Sequence, residues 1–377
     1  MAVEIWPHVA PDELKAAVDA AEKRELDWLV DELHETLINL KHGLEDCYAL
    51  LAPIDHGNTL VLSTPRNEIV KGTITRVGTR IVRGTIHLRM RTLPHQTLTI
   101  NPDHPIHLAP LTTLHSLLNH SIDLLTLTLA YSYPSSGSSP APTSTTTTSK
   151  RSPHLPTDLP PPQFLSAQLR LLAQSLAEAS AQLKGPSSTT TTGASGGISS
   201  TGNDPTWTTR SAAPSHFTPP LAQPHPGSTH PALSFHLSVQ DASLVLWLRT
   251  LEPADAPLNF GTKLALAIGT ARRLEHDEAE RVFGYCCNHD TSSALVTGPR
   301  GSPGMAAAAA GPVHVPLSGT RTRSVDVYVR EKVRVETADP SLMSLSAKLT
   351  ALANTLALAR RNLAAVLGEE WDEDRDG

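Results

Sequence analysis

The chain has 377 residues, room for about two ordinary domains, and with 39% hydrophobic but only 4% aromatic residues its core must be aliphatic. Three cysteines (Cys47, Cys286, Cys287) are too few for a disulfide framework and fit a reducing compartment. The formal charge is −6, of which the last ten residues contribute −5, so the overall basic field expected of a nucleic-acid binder is absent. No uninterrupted apolar run of about 18 residues and no basic-then-apolar leader is present, so neither a membrane span nor a secretory signal is expected.

The first element is an apolar stripe. Leu26, Leu29, Leu33, Leu37, Leu40, Leu44, Cys47 and Leu51 step by three or four, which predicts a long helix entered as early as Pro11 and stopped by Pro53. Strands follow over 59–101. Within them, residues 82–91 put Val82, Gly84, Ile86, Leu88 and Met90 on one face and Arg83, Thr85, His87, Arg89 and Arg91 on the other. Leu108, Leu111, Leu114, Leu118, Ile122, Leu125 and Leu129 form a second helical stripe opened by Pro105 or Pro110. Phe164, Leu165, Leu169, Leu172, Leu176 and Leu183 form a third, ended at Gly185.

Further strands are expected at 233–239 and 243–248, the latter apolar on both faces and therefore central or covered. The segment 325–335 places five valines on one face, interrupted by Glu331. Asp339-Pro340 then caps a fourth helix with the stripe Leu342, Leu345, Leu349, Leu352, Leu356, Leu363 and Val366.

This order predicts an α+β protein in which both parts are discontinuous. An antiparallel four-helix bundle (11–52, 105–131, 161–184 and 340–368) would join an antiparallel β-sheet domain (59–101 and 233–335). The expected bundle core includes Leu26, Leu29, Leu33, Leu37 and Leu40 from the first helix, and Leu345, Leu349, Leu352 and Leu356 from the last. Residues 132–160, 185–232 and 291–311 are rich in Ser, Thr, Pro and Gly and read as disordered inserts, with 369–377 an acidic tail.

Catalytic signatures are missing. The chain has no phosphate-binding loop, dinucleotide fingerprint, nucleophile elbow or H-E-x-x-H zinc motif. The closest metal-like groupings are His104 with His107, and Cys286-Cys287 with His289, but adjacent cysteines on a strand point to opposite faces. The carboxylates Glu275, Asp277, Glu278 and Glu280 read as a solvated face. The expectation is a non-enzyme without metal or cofactor. The feature that invites a partner is the stretch 70–93, where Lys71, Arg76, Arg83, Arg89 and Arg91 accompany no acid and form a candidate partner-binding face. Nucleic acid is not expected there, since the strands lack stacking aromatics.

The segment Glu25-Leu26-Asp27-Trp28-Leu29-Val30-Asp31-Glu32-Leu33-His34, continuing to Leu40, resembles the first helix of the Rogdi family, which includes the second subunit of the fungal RAVE complex. The resemblance continues at Val70-Lys71-Gly72, Leu88-Arg89-Met90, Leu251-Glu252-Pro253, strand 325–335 and the last helix. It implies an α-domain joined to a β-domain and a non-catalytic adaptor that promotes assembly of the vacuolar-type proton ATPase. The implied partners are a large WD40-type subunit and the pump's peripheral sector. The implied location is the cytoplasm, with indirect recruitment to the vacuolar or endosomal membrane and a monomer outside the complex. The alternatives are a self-associating leucine zipper that dimerises through the 26–51 stripe and, ranked behind it, a nucleic-acid-binding protein that uses the 70–93 strand.

Overall fold

A computed structural model describes residues 10–53, 56–132, 162–186, 206–228, 230–255, 276–279, 281–286 and 324–368. It is a mixture of helix and antiparallel sheet in two compact units. Unit 1 comprises Met1–Pro53, Ala109–Gly185 and Pro340–Gly377, and unit 2 comprises Ile54–Leu108 and Pro186–Asp339. The inserts expected at 132–160 and 291–311 and the acidic tail lie almost wholly outside the described residues.

Unit 1 holds four long helices: α1 (Pro11–Leu50), α2 (Ala109–Ser132), α3 (Pro162–Lys184) and, at its end, the helix Pro340–Leu367. That last helix is numbered α5 below, after the short α4 (Trp207–Arg210) of unit 2. Each helix buries one leucine stripe, because positions three and four apart share a face. Leu29, Leu33, Leu37, Leu40 and Leu44 of α1 are buried, as are Leu345, Leu349 and Leu356 of α5, while Leu26 and Leu352 are only half-buried. α1 packs on α2 and α5, and α3 packs on the same two helices. Asp46 meets Lys348 at 2.8 Å, and one turn earlier Gly43 lies under Leu352, so α1 and α5 run antiparallel.

By length and composition α5 is the one helix among the described residues that is apolar enough to cross a membrane. The expectation of no membrane span rested on the absence of an uninterrupted apolar run, and in α5 the Ala and Leu are interrupted by polar residues. Its buried leucines nevertheless serve the helix packing just described. Of the two openings expected for the second helix the later one holds, since α2 has Pro110 in its first turn and does not reach back to Pro105. Ile106–His107 form a short strand, β5, paired with Arg80 and Ile81, and the Leu108 amide donates to the Thr79 carbonyl. Residues 105–108 therefore belong to unit 2, where an extended chain is held by backbone bonds that a helix could not offer.

Unit 2 contains two sheets. The first has the order β1 (Asn58–Ser63), β2 (Val70–Val77), β3 (Arg80–Leu88), β4 (Gln96–Ile100) and β6 (Phe217–Thr218). Period-two alternation buries Leu60, Leu62, Val70, Ile74, Ile86, Leu88, Leu98 and Ile100 on its inner face. Gly78 turns the β2–β3 hairpin at φ +59. A register shift opposite Thr75 and Arg76 lets Ile81 join Ile86 on the buried side despite its odd number.

The second sheet has the order β7 (Ala232–Gln240), β8 (Ser243–Pro253), β10 (Ser324–Ala338) and β9 (Val282–Cys286). The strand read as central, β8, does lie between two neighbours. The valines of β10 do not share one face as expected. A bulge at Arg330 shifts the register, so Val329 opposes Leu251 whereas Val333 opposes Leu248, and adjacent β8 residues point to opposite faces. The stretch 185–232 is also not wholly an insert. Trp207 of α4 and Phe217 of β6 are buried, and an aromatic that finds a core offsets the ordering cost of a Ser/Thr/Pro-rich segment.

Candidate docking surface

The outward positions of the first sheet follow from its register. Thr59, Thr75 and Arg83 form one row across β1–β3. Val61, Thr73, Thr85, Thr99 and Thr218 form the next, across five strands. Ser63, Lys71, His87 and Thr97 form the third. Every side chain in these three rows is thus a cation, a histidine, a hydroxyl or the single Val61, and none is a carboxylate. Arg89 and Arg91 continue beyond the end of β3, with the Arg89 amide still bonded to the Ile69 carbonyl at 2.8 Å.

Lys71, Arg83, Arg89 and Arg91 are exposed and form no ion pair among the described residues. Elsewhere in the same unit Arg249, Arg330, Lys332 and Arg334 all lie against carboxylates. At about 3.3 Å per residue, Arg83 and Arg89 stand about 20 Å apart, so the face carries positive charge at both ends of a hydroxyl-lined surface. His87 shares a 2.9 Å hydrogen bond with Thr97, which holds its ring against the sheet. The rigid ladder fixes the charge spacing, and an acidic surface can meet these groups without first displacing internal partners.

Arg76 does not belong to this face. It has the same parity as Val70 and Ile74, so it points inward, where it is 2% exposed. Its Nε donates to Asp339 at 2.5 Å and its Nη1 to the Gly78 carbonyl at 2.5 Å, while Asn58 donates to the other Asp339 oxygen at 3.2 Å. The alternation of β2 already carried this signal, since an arginine in phase with buried valine and isoleucine requires a buried acid.

A second buried network lies on the other sheet. Arg249 makes a bidentate pair with Glu278 at 2.7 and 2.9 Å, and Lys332 reaches the same carboxylate at 2.7 Å. The Arg249 guanidinium also stacks over the Trp207 ring at 4.5 Å. Glu278 is fully buried, which corrects the reading of 275–280 as solvated: the bulge at Arg330 turns Lys332 toward Arg249, and two cations there demand a counter-charge. Burial alone would raise the carboxyl of Asp277, but its hydrogen bond to Lys332 and that cation's charge hold it below its ordinary value. Glu275 and Glu280 lie outside the described residues.

Among the described residues no group of three His, Cys, Asp or Glu side chains is placed to hold a metal ion. His104 offers its carbonyl oxygen to the Nδ1 of His216 at 2.8 Å. His107 is lowered by partial burial, with the charges of Arg80 and His216 adding to it. Cys286 is half-buried at the end of β9, and Cys287 and His289 lie outside the described residues. Cys47, buried in α1, is pushed up to about 11 by desolvation and is not a poised thiolate.

Comparison with known protein families places residues 25–364 on the model described as Rogdi leucine zipper containing protein. No curated protein matches the chain.

Proposed function

The chain belongs to the Rogdi family, with nearly its whole length matched, and from that membership we propose that it is a non-catalytic adaptor of a RAVE-like complex. In this reading it promotes assembly of the vacuolar-type proton ATPase by bridging the pump's peripheral sector and a large WD40-type subunit. It works in the cytoplasm and reaches the vacuolar or endosomal membrane through its partners, while ATP hydrolysis stays with the pump. The four helices of unit 1 act as an antiparallel four-helix bundle that stiffens the body.

The observation that carries the reading is the cationic face of the first sheet, unpaired among the described residues. Lys71, Arg83, Arg89 and Arg91 offer fixed positive charge without a competing acid, which suits capture of an acidic protein surface and favours fast, salt-sensitive encounter. The zipper alternative finds less support, since Leu29, Leu33, Leu37 and Leu40 are already buried against neighbouring helices of the same chain. The test is removal of the protein from cells. Both pump sectors should persist but stay uncoupled, with weak vacuolar acidification and sensitivity to alkaline, calcium-rich medium. Normal assembly in its absence overturns the proposal.

A further inference from the structure

Two features of unit 1 lack a partner among the described residues. The first is the start of α1. Fifteen residues separate Leu352 from Leu367, so α5 ends level with residue 28 of α1, counting back from Gly43. By the same count, Tyr48 stacks on His115 at 4.7 Å, and α2 ends seventeen residues later, level with residue 31. The stretch Pro11–Asp27 therefore runs about 26 Å past the ends of both helices that flank it. Every residue from Pro11 to Glu25 is exposed.

This stretch is not the continuation of the core stripe. Leu14, Ala17, Val18, Ala21 and Trp28 fall within an arc of about 100°, in which Glu25 is the one charged residue. That arc is turned by roughly a third of the circumference from the line of Leu33, Leu37 and Leu40, at 100° per residue. Positions in line with the core stripe are instead Asp19 and Glu22. Leu14, Val18 and Trp28 are large, apolar and exposed, the tryptophan to 63%. A free helix of this length gains little on its own, so such a stripe calls for a tertiary partner.

The second feature lies at the same end. Tyr131 near the close of α2 stacks on Phe164 at the start of α3 at 5.0 Å. Beside them opens a cleft of about 470 Å³ lined by Leu124, Leu127, Tyr131, Phe164 and other residues of α2 and α3 alone, with no charged group among them. Leu127 is 69% exposed on its rim.

We propose that the α2–α3 cleft receives the apolar stripe Leu14, Ala17, Val18 and Ala21 from a second copy of this chain, in a reciprocal exchange that forms a two-fold dimer. The occupant is argued from four matches. The cleft is uncharged and the stripe is apolar over i, i+3, i+4 and i+7, the pattern of a helix seated in a groove. Both features sit at one end of the same unit. The stripe cannot reach the cleft of its own chain, because it is continuous with the packed part of α1 and contributes nothing to that cleft's lining. A single two-fold operation pairs both orphan surfaces at once. The monomer implied by the family resemblance is replaced, on this view, by a dimer presenting two cationic faces.

The test is the mass of the full chain by sedimentation equilibrium over a wide concentration range. Twice the 40.3 kDa chain mass is expected at high concentration, returning to 40.3 kDa on dilution. Leu127→Arg in the cleft and Val18→Glu in the stripe should each abolish the dimer, with helix content checked by circular dichroism. Met343→Arg, an equally exposed apolar site on α5, should leave it intact. Mixing the Leu127→Arg and Val18→Glu chains should restore a weaker dimer, since the pair retains one intact cleft and one intact stripe. A monomer at all concentrations, a dimer indifferent to both substitutions, or a mixture that stays monomeric overturns the proposal. So does a chain that remains monomeric and takes up a foreign apolar helix in the cleft.

Discussion

Asp339→Ala should cost unit 2 several kcal/mol. The carboxylate is 0% exposed and Arg76 is 2% exposed, so removing the acid leaves a guanidinium with no counter-charge and no route to water. Breaking a buried pair in this way costs about 3–5 kcal/mol, and the amide of Asn58 loses an acceptor as well. Arg76→Met should cost a similar amount, for the opposite charge. The double variant removes both charges and should be milder than the sum of the singles by about 2–3 kcal/mol. Urea unfolding followed by tryptophan emission reports on the right part of the molecule, because Trp207 and Trp247 lie in the unit that carries the pair. With a slope near 2 kcal/mol per molar, each single change should move the midpoint down by roughly 1.5–2.5 M. A shift under about 0.5 M, or strict additivity in the double variant, would refute the claim that these groups act as one buried pair.

Gly72→Ala should disrupt the first sheet, since a methyl there is driven into the Thr85 carbonyl and the Ile86 backbone, neither of which can swing aside; loss of amide protection in β2 and β3 is the readout. Leu33→Asp should unfold unit 1 by several kcal/mol, whereas Leu352→Asp should cost clearly less because Leu352 is half-buried, and equal melting temperatures would contradict this ranking. Cys47, raised to about 11, should resist alkylation at about pH 8 and react only at the rate at which unit 1 opens; labelling at the speed of a free thiol would show the helix packing to be wrong.

The helices were legible because their leucines keep a three-four spacing over many turns, which few other structures can satisfy. The strands were legible where alternation was unbroken, as in β3. What escaped was set by events that leave no composition signal. The bulge at Arg330 adds a single residue, yet it divides the valines of β10 between two faces and turns Lys332 toward Glu278. Trp207 and Phe217 lie in a stretch whose Ser and Thr content hides two strong core formers. The cationic face was visible as charge along one strand. The threonine rows that surround it depend on register across five strands, and Arg76 was misplaced by counting charge without applying the parity of β2.

The most direct measurement is capture of the pump's peripheral sector and the WD40-type subunit by the full chain and by an Arg83→Glu, Arg89→Glu, Arg91→Glu variant. All three side chains are exposed and have no ion-pair partner among the described residues, so the variant should unfold at the same urea midpoint as the parent. Capture by the parent should weaken steeply as salt rises, and the variant should bind poorly even at low salt. Equal capture by both proteins at every salt concentration would contradict the assignment of this sheet face as the docking surface.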